Sequence, residues 1–128
     1  MDARLLMTLS VKVEGAQRIG AVPHGTRVTA LVSSGTFEGP RLRGAVLPGS
    51  GDWTLLRSDG VLETDDGALV HMTFEGIRDD SAAGAPYFRT TPRFETAAPK
   101  YAFLNRLLSV GKGEITPNGP VHVIEEIL

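Results

Sequence analysis

Two stretches of this chain place arginine, an aromatic ring and oxygen-bearing side chains at strand spacing. The first is Asp52-Trp53-Thr54-Leu55-Leu56-Arg57-Ser58-Asp59. Alternate residues of a strand point the same way, so Trp53, Leu55, Arg57 and Asp59 share one face. The second is Tyr87-Phe88-Arg89-Thr90-Thr91-Pro92-Arg93-Phe94-Glu95, in which Tyr87, Arg89, Thr91, Arg93 and Glu95 share parity. Pro92 can shift the phase of the residues beyond it. An arginine fork holds a carboxylate, phenolate or enolate through charge-assisted hydrogen bonds. The candidate catalytic residues are therefore Arg57 and Arg89, with Asp59, Glu95 or His71 to move a proton. Trp53, Tyr87, Thr91, Phe94, Tyr101 and Asn105 are the candidate ligand contacts, and Tyr87 or Tyr101 could also serve as an acid. The competing reading makes Trp53 a core residue with Arg57 on the rim, and turns the Tyr87–Glu95 face outward as a salt-bridged surface.

The elements that would carry these residues are short strands. Leu5, Met7, Leu9, Val11 and Val13 alternate with Leu6, Thr8, Ser10, Lys12 and Glu14, a period of two. Fifteen glycines and eight prolines punctuate the rest. Strands are expected in TRVTALVSSGTFEG, PRLRGAVLPG, DWTLLRS, ALVHMTFEGI, YFRTTPRFET and VHVIEEIL. Hairpin turns are expected at Asp66-Gly67 and Asn118-Gly119. PKYAFLN reads as one helical turn before a strand through Ser109 and Gly111, and RDDSAAGAP as a polar loop. About eight strands with hairpin connections must close or split into a sandwich, and closure removes the exposed edges. The expected fold is all-β: a single-domain antiparallel up-and-down β-barrel over 1–128, with little helix.

Composition excludes several function classes. The chain has 128 residues, no cysteine and a formal net charge of -2. Disulfides and thiolate metal sites are therefore out, and phosphate binding lacks its clustered basic excess, so no nucleic acid is expected. No apolar run is long enough to span a bilayer as a helix, and the N-terminus does not read as a signal peptide. A cytoplasmic location without membrane contact follows as an expectation. His24, His71 and His122 lie far apart and form no metal-binding spacing, so no metal is expected. Asp65-Asp66-Gly67 lacks the pattern of a calcium loop. Nucleotide-binding glycine motifs and a serine nucleophile elbow are missing too, so no cofactor is implied.

The blocks GTFEGPRLRGAVLPGSGDW, RSDG, TDDGAL, YFRTTPRFET and YAFLNRLLSVGKG together resemble the domain of unknown function 3237 family, the UPF 0311 proteins. The resemblance spans Gly35 to Gly113. It implies a compact antiparallel barrel with a central cavity, similar to allene oxide cyclase and the spirotetronate cyclases, which work on reactive substrates without a cofactor. That is analogy of fold. One departure stands out. Only Val61–Glu63 links RSDG to TDDG, where resembling proteins carry about one strand more, and this bears on closure and strand count.

Three functions compete. The first is a cofactor-free isomerase, cyclase or lyase acting on a small aromatic or polyketide-like molecule. The second is a lipocalin-like binding or carrier protein for such a small-molecule ligand. The third is an assembly protein whose arginines and acids are surface. A displaced titratable group inside the cavity would favour catalysis, and an outward Tyr87/Arg89 face would favour assembly. A homodimer through the outer faces is a further expectation.

Overall fold

The computed structural model describes residues 1–23, 25–52 and 57–128, and the side chains of 1–23, 28–49 and 58–128. The strands are β1 (Ala3–Val22), β2 (Gly25–Glu38), β3 (Arg43–Val46), β4 (Gly49–Asp52), β5 (Arg57–Thr64), β6 (Leu69–Asp79), β7 (Tyr87–Thr90), β8 (Arg93–Glu95), β9 (Ser109–Thr116) and β10 (Gly119–Ile127). A 3-10 segment, Pro99–Arg106, is kinked at Tyr101. None of the described helical structure is long and apolar enough to cross a membrane.

Every pairing is antiparallel, and the ring closes. β1 pairs with β2, which pairs with both β3 and β4. Both pair with β5, and β5 with β6. β6 pairs with β7 and β8, and β7 with β9. β9 then pairs with β10, which returns to β1. β3 and β4 are halves of one stave, and β7 and β8 halves of another. Counted so, the ten strands make eight staves. Each neighbour in the ring is also the neighbour in sequence, or the first and last strand. This is the up-and-down barrel the turn pattern implies, closed through β7 while β8 pairs on its β6 side.

The interruptions have local causes. Pro92 has no amide hydrogen to give to a ladder, so the β7/β8 stave breaks at Thr91-Pro92. Gly67 and Gly119 adopt φ of 89° and 113° at the two tight turns, where a side chain would strain the backbone. The DWTLLRS strand is redrawn: β4 ends at Asp52, β5 begins at Arg57, and Trp53–Leu56 lie outside the described residues. The short link Val61–Glu63 is itself the middle of β5, paired to both β3 and β6. The ring therefore closes across this link, because the stave runs straight through it.

The interior divides along the barrel. One end is a packed apolar core of Leu6, Met7, Phe37, Leu62, Val70, Phe94, Leu104 and Ile124. A bulge between Leu5 and Met7 breaks the alternation, so Leu6 and Met7 are both fully buried. The 3-10 segment closes this end by burying Tyr101 and Leu104. It is tied to the β5–β6 turn by Asp66, which accepts from Tyr101 Oη at 2.9 Å, Lys100 Nζ at 2.9 Å and Thr64 Oγ1 at 2.5 Å. Lys100, then Thr64 and Tyr101, hold the Asp66 carboxyl far below the usual carboxylate range. Burial would raise Glu126, but Arg41 at 2.8 Å and Arg4 more than offset it and lower its pKa. The Arg41 guanidinium in turn lies 4.4 Å over the Phe103 ring.

Candidate functional site

Toward the other end the described residues leave the interior incompletely filled. A cavity there is lined by Leu9 and Val11 of β1, Val32 of β2, Val46 of β3, Gly49 of β4, Ser58 to Gly60 of β5, Met72 and Phe74 of β6, and Pro120 and His122 of β10, with Leu47. Its free volume is about 40 Å³. That is room for one polar end of a ligand, the body of which would lie across the mouth.

His122 is the buried titratable group in this wall. It is 3 % exposed. β10 alternates Val121, Val123 and Glu125 outward with Pro120, His122, Ile124 and Glu126 inward. Glycines on β9 make that choice possible: Gly111 and Gly113 are the register partners of Ile124 and His122. A side chain on Gly113 would sit 2.7 Å from Phe88 Cγ, so its absence lets the Phe88 ring into the barrel beside His122. The imidazole meets Phe88 edge-on at 5.1 Å and Phe74 tilted at 5.8 Å. Neither ring nitrogen has a hydrogen-bond partner among the described residues. Burial pushes His122 down to about 4, so it is neutral at pH 7. A buried polar group without a partner is costly and asks for an explanation.

The predicted site residues fall elsewhere. Tyr87, Arg89 and Thr91 do share a face, but it is the outer one, where they line a shallow groove with Ile77, Val110, Lys112 and Val123. Tyr87 is 53 % exposed. Arg89 lies 4.7 Å over the Tyr87 ring and donates to the Phe88 carbonyl at 3.0 Å, so the guanidinium is engaged at the surface. The inward pair from this strand is Phe88 and Thr90, both buried. Glu95 and His71 are exposed register partners on the outer surface, beside Arg93 and Thr73. His71 Nε2 lies 3.7 Å from Asp59 Oδ2, beyond hydrogen-bond range. Asp59 is the one predicted catalytic residue whose atoms border the cavity, and its side chain is 70 % exposed. Phe94 and Tyr101 are buried in the closed end. Asn105 bridges Thr96, accepting from its amide at 2.8 Å and donating to its carbonyl at 2.9 Å. Trp53 and the Arg57 side chain lie outside the described residues. Among the described residues no three histidines or carboxylates gather as a metal site.

Sequence reasoning missed His122 because its strand offers two valines on the other face. The signal that could have found it is Gly111-Lys112-Gly113: glycines two apart on a strand make room on one face for side chains from neighbouring strands.

The model of the family described as "Protein of unknown function (DUF3237)" matches residues 2–127. The chain belongs to the DUF3237 family. A UPF0311 protein of Rhodopseudomonas palustris (strain ATCC BAA-98 / CGA009) is 30% identical over 132 aligned positions, covering 87% of this chain and 86% of that one. The crystal structure of that DUF3237 relative superposes with a TM-score of 0.91 at 27% identity, over 99% of this chain and 97% of the other. A "beta-barrel like protein" from Acinetobacter baumannii AYE gives 0.85 at 26% identity, over 98% and 96%. Beyond these, an enzyme from Penicillium herquei shares the fold at a TM-score of 0.59 and 15% identity, over 98% and 94%.

Proposed function

We propose that the protein binds a small, largely apolar molecule at the barrel mouth and that His122 exchanges a proton with it, without a cofactor. The observation that carries this is the buried imidazole of His122, without a hydrogen-bond partner among the described residues, facing a largely apolar cavity. Such a group accepts a hydrogen bond from a phenolic or enolic hydroxyl, or takes a proton from carbon next to a carbonyl. In that step the C–H bond breaks, an N–H bond forms on His122, and the ligand keeps the electron pair as an enolate. Returning the proton to another atom of the ligand completes an isomerisation or ring closure. An imidazolium with a pKa about 4 is rarely formed at pH 7 on its own. An enolate about 4 Å away attracts it by ~4 kcal/mol at an effective dielectric of about 20, enough to return its pKa to the neutral range. Base strength thus appears as the anion forms, which suits a proton shuttle.

The isomerase, cyclase or lyase reading is kept with His122 in place of Arg89, Glu95 and His71. The Penicillium herquei enzyme supports it only in fold: a barrel of this shape is compatible with catalysis. A carrier is the second reading. It is favoured by the lack of any described partner that would relay a proton to or from His122.

Deuterium exchange separates the two. With 2-tetralone in D2O, the wild-type protein should exchange the α-hydrogens faster than buffer does, and His122→Asn should lose about 10²-fold or more of that rate. Saturable binding of 2-tetralone without exchange would favour the carrier. An absence of both would refute the interior site.

A further inference from the structure

The glycines that face the barrel interior are of two kinds. At Gly44, Gly76, Gly111 and Gly113 an added Cβ would run into the Glu63 carbonyl, the Arg89 carbonyl, the Thr90 hydroxyl and the Phe88 ring. Close packing explains those four. At Gly49 and Gly60 an added Cβ would meet no atom of the described residues within 4 Å. Neither has a positive φ, so backbone geometry does not require glycine there. Strand interiors disfavour glycine, and such a glycine often marks a close approach by something else. Both residues line the His122 cavity. Gly49 belongs to β4 and Gly60 to β5, which pair with each other. Two adjacent staves therefore show bare backbone to the same space that the His122 imidazole, unpartnered among the described residues, faces.

We infer that Gly49 and Gly60 form a side-chain-free notch against which a flat, conjugated ring lies, its body across the mouth and its hydroxyl or enol oxygen donating to His122. Peptide planes without side chains present a flat surface, and a planar ring gains the most contact on it. A puckered aliphatic of the same size would touch it at a few atoms only. Gly60 is then a specificity-determining position: its missing side chain is the ligand's space. This deepens the interior-site reading and rests on it.

The test uses 2-naphthol and cis-2-decalol, a planar and a puckered ring alcohol of one carbon skeleton, titrated into the full-length protein by NMR with the His122 imidazole signals as readout. Wild type should bind 2-naphthol at least about tenfold more tightly than the decalol, with the His122 signals moving. Gly60→Val should weaken 2-naphthol by about tenfold or more while the melting temperature stays within about 2 °C or rises. Gly49→Ala, a smaller addition to the other side of the notch, should act in the same direction. Equal 2-naphthol affinity in wild type and Gly60→Val, with His122 still responding, would overturn the notch and leave the interior site standing. So would a marked loss of stability in Gly60→Val, because it would show that the space is occupied by packing. Unmoved His122 signals with both probes would overturn the notch and the interior site together.

Discussion

Replacing His122 with leucine should stabilise the protein, and by more as the pH falls. Two effects set the size. At pH 7 the wild type buries an imidazole with no described partner, at a cost of about 1–3 kcal/mol. Leucine is apolar and of similar volume, but it gives up the edge contact with Phe88, worth about 0.5–1.5 kcal/mol. The net gain at neutral pH is therefore small, about 0–2 kcal/mol. The pH-dependent part is larger. Burial depresses the folded-state pKa from 6.5 to about 4. Above pH 6.5 both folded and unfolded chains hold the residue neutral, and it imposes no titration penalty. As the pH falls below 6.5 the unfolded chain takes up a proton that the folded one refuses, and stability drops by about 1.4 kcal/mol per pH unit until the folded imidazole titrates near 4. The total is about 3 kcal/mol. Urea unfolding of wild type and His122→Leu at several pH values between 7.5 and 4.5 measures it. Asp66, Asp79 and Glu126 also have lowered pKa values and lose their contributions as they protonate. They do so in both proteins, so the loss cancels in the difference. A gap between the two proteins that stays constant over this range would show that His122 titrates like a solvated histidine, and the buried-base argument would fail with it.

Other substitutions test the frame around this residue. Gly113→Ala should cost about 1–3 kcal/mol, since its methyl would lie 2.7 Å from Phe88 Cγ and must push that ring off His122; thermal unfolding reads the loss, and an unchanged melting temperature would contradict the close approach. Gly60→Val, also on an inward glycine, should do the opposite, keeping stability and losing the planar ligand. Asp66→Asn removes the carboxylate that Lys100, Thr64 and Tyr101 share, so amide hydrogen exchange in Pro99–Arg106 should quicken. Protection unchanged in that segment would show that Tyr101 and Leu104 hold it by burial alone. His122→Asn should abolish deuterium exchange into 2-tetralone while leaving the fold intact by circular dichroism.

Strand alternation, glycine and proline punctuation and two turn dipeptides were enough to write down an all-β, up-and-down chain of about eight staves. These signals are local: each depends on a few consecutive residues, and the barrel keeps nearly all of them. Face membership was also legible. Tyr87, Arg89 and Thr91 do share a face, as period two requires. Which face looks inward was not. In β7 both faces mix an aromatic ring with a polar group, and in β10 the outward face carries Val121, Val123 and Ile127 while Ile124 is the one isoleucine inside. Hydrophobicity counted along one strand has no basis for choosing correctly in either case. The choice is made around the ring. Gly111 and Gly113 leave a gap on β9, Phe88 and His122 enter it from the strands on either side, and the register then turns Arg89 and Tyr87 to the outside. The sequence by itself determined the staves and which residues travel together. Only closure of the ring decided which of them meet, because a barrel's inward face is fixed by the side-chain volume its neighbours leave free.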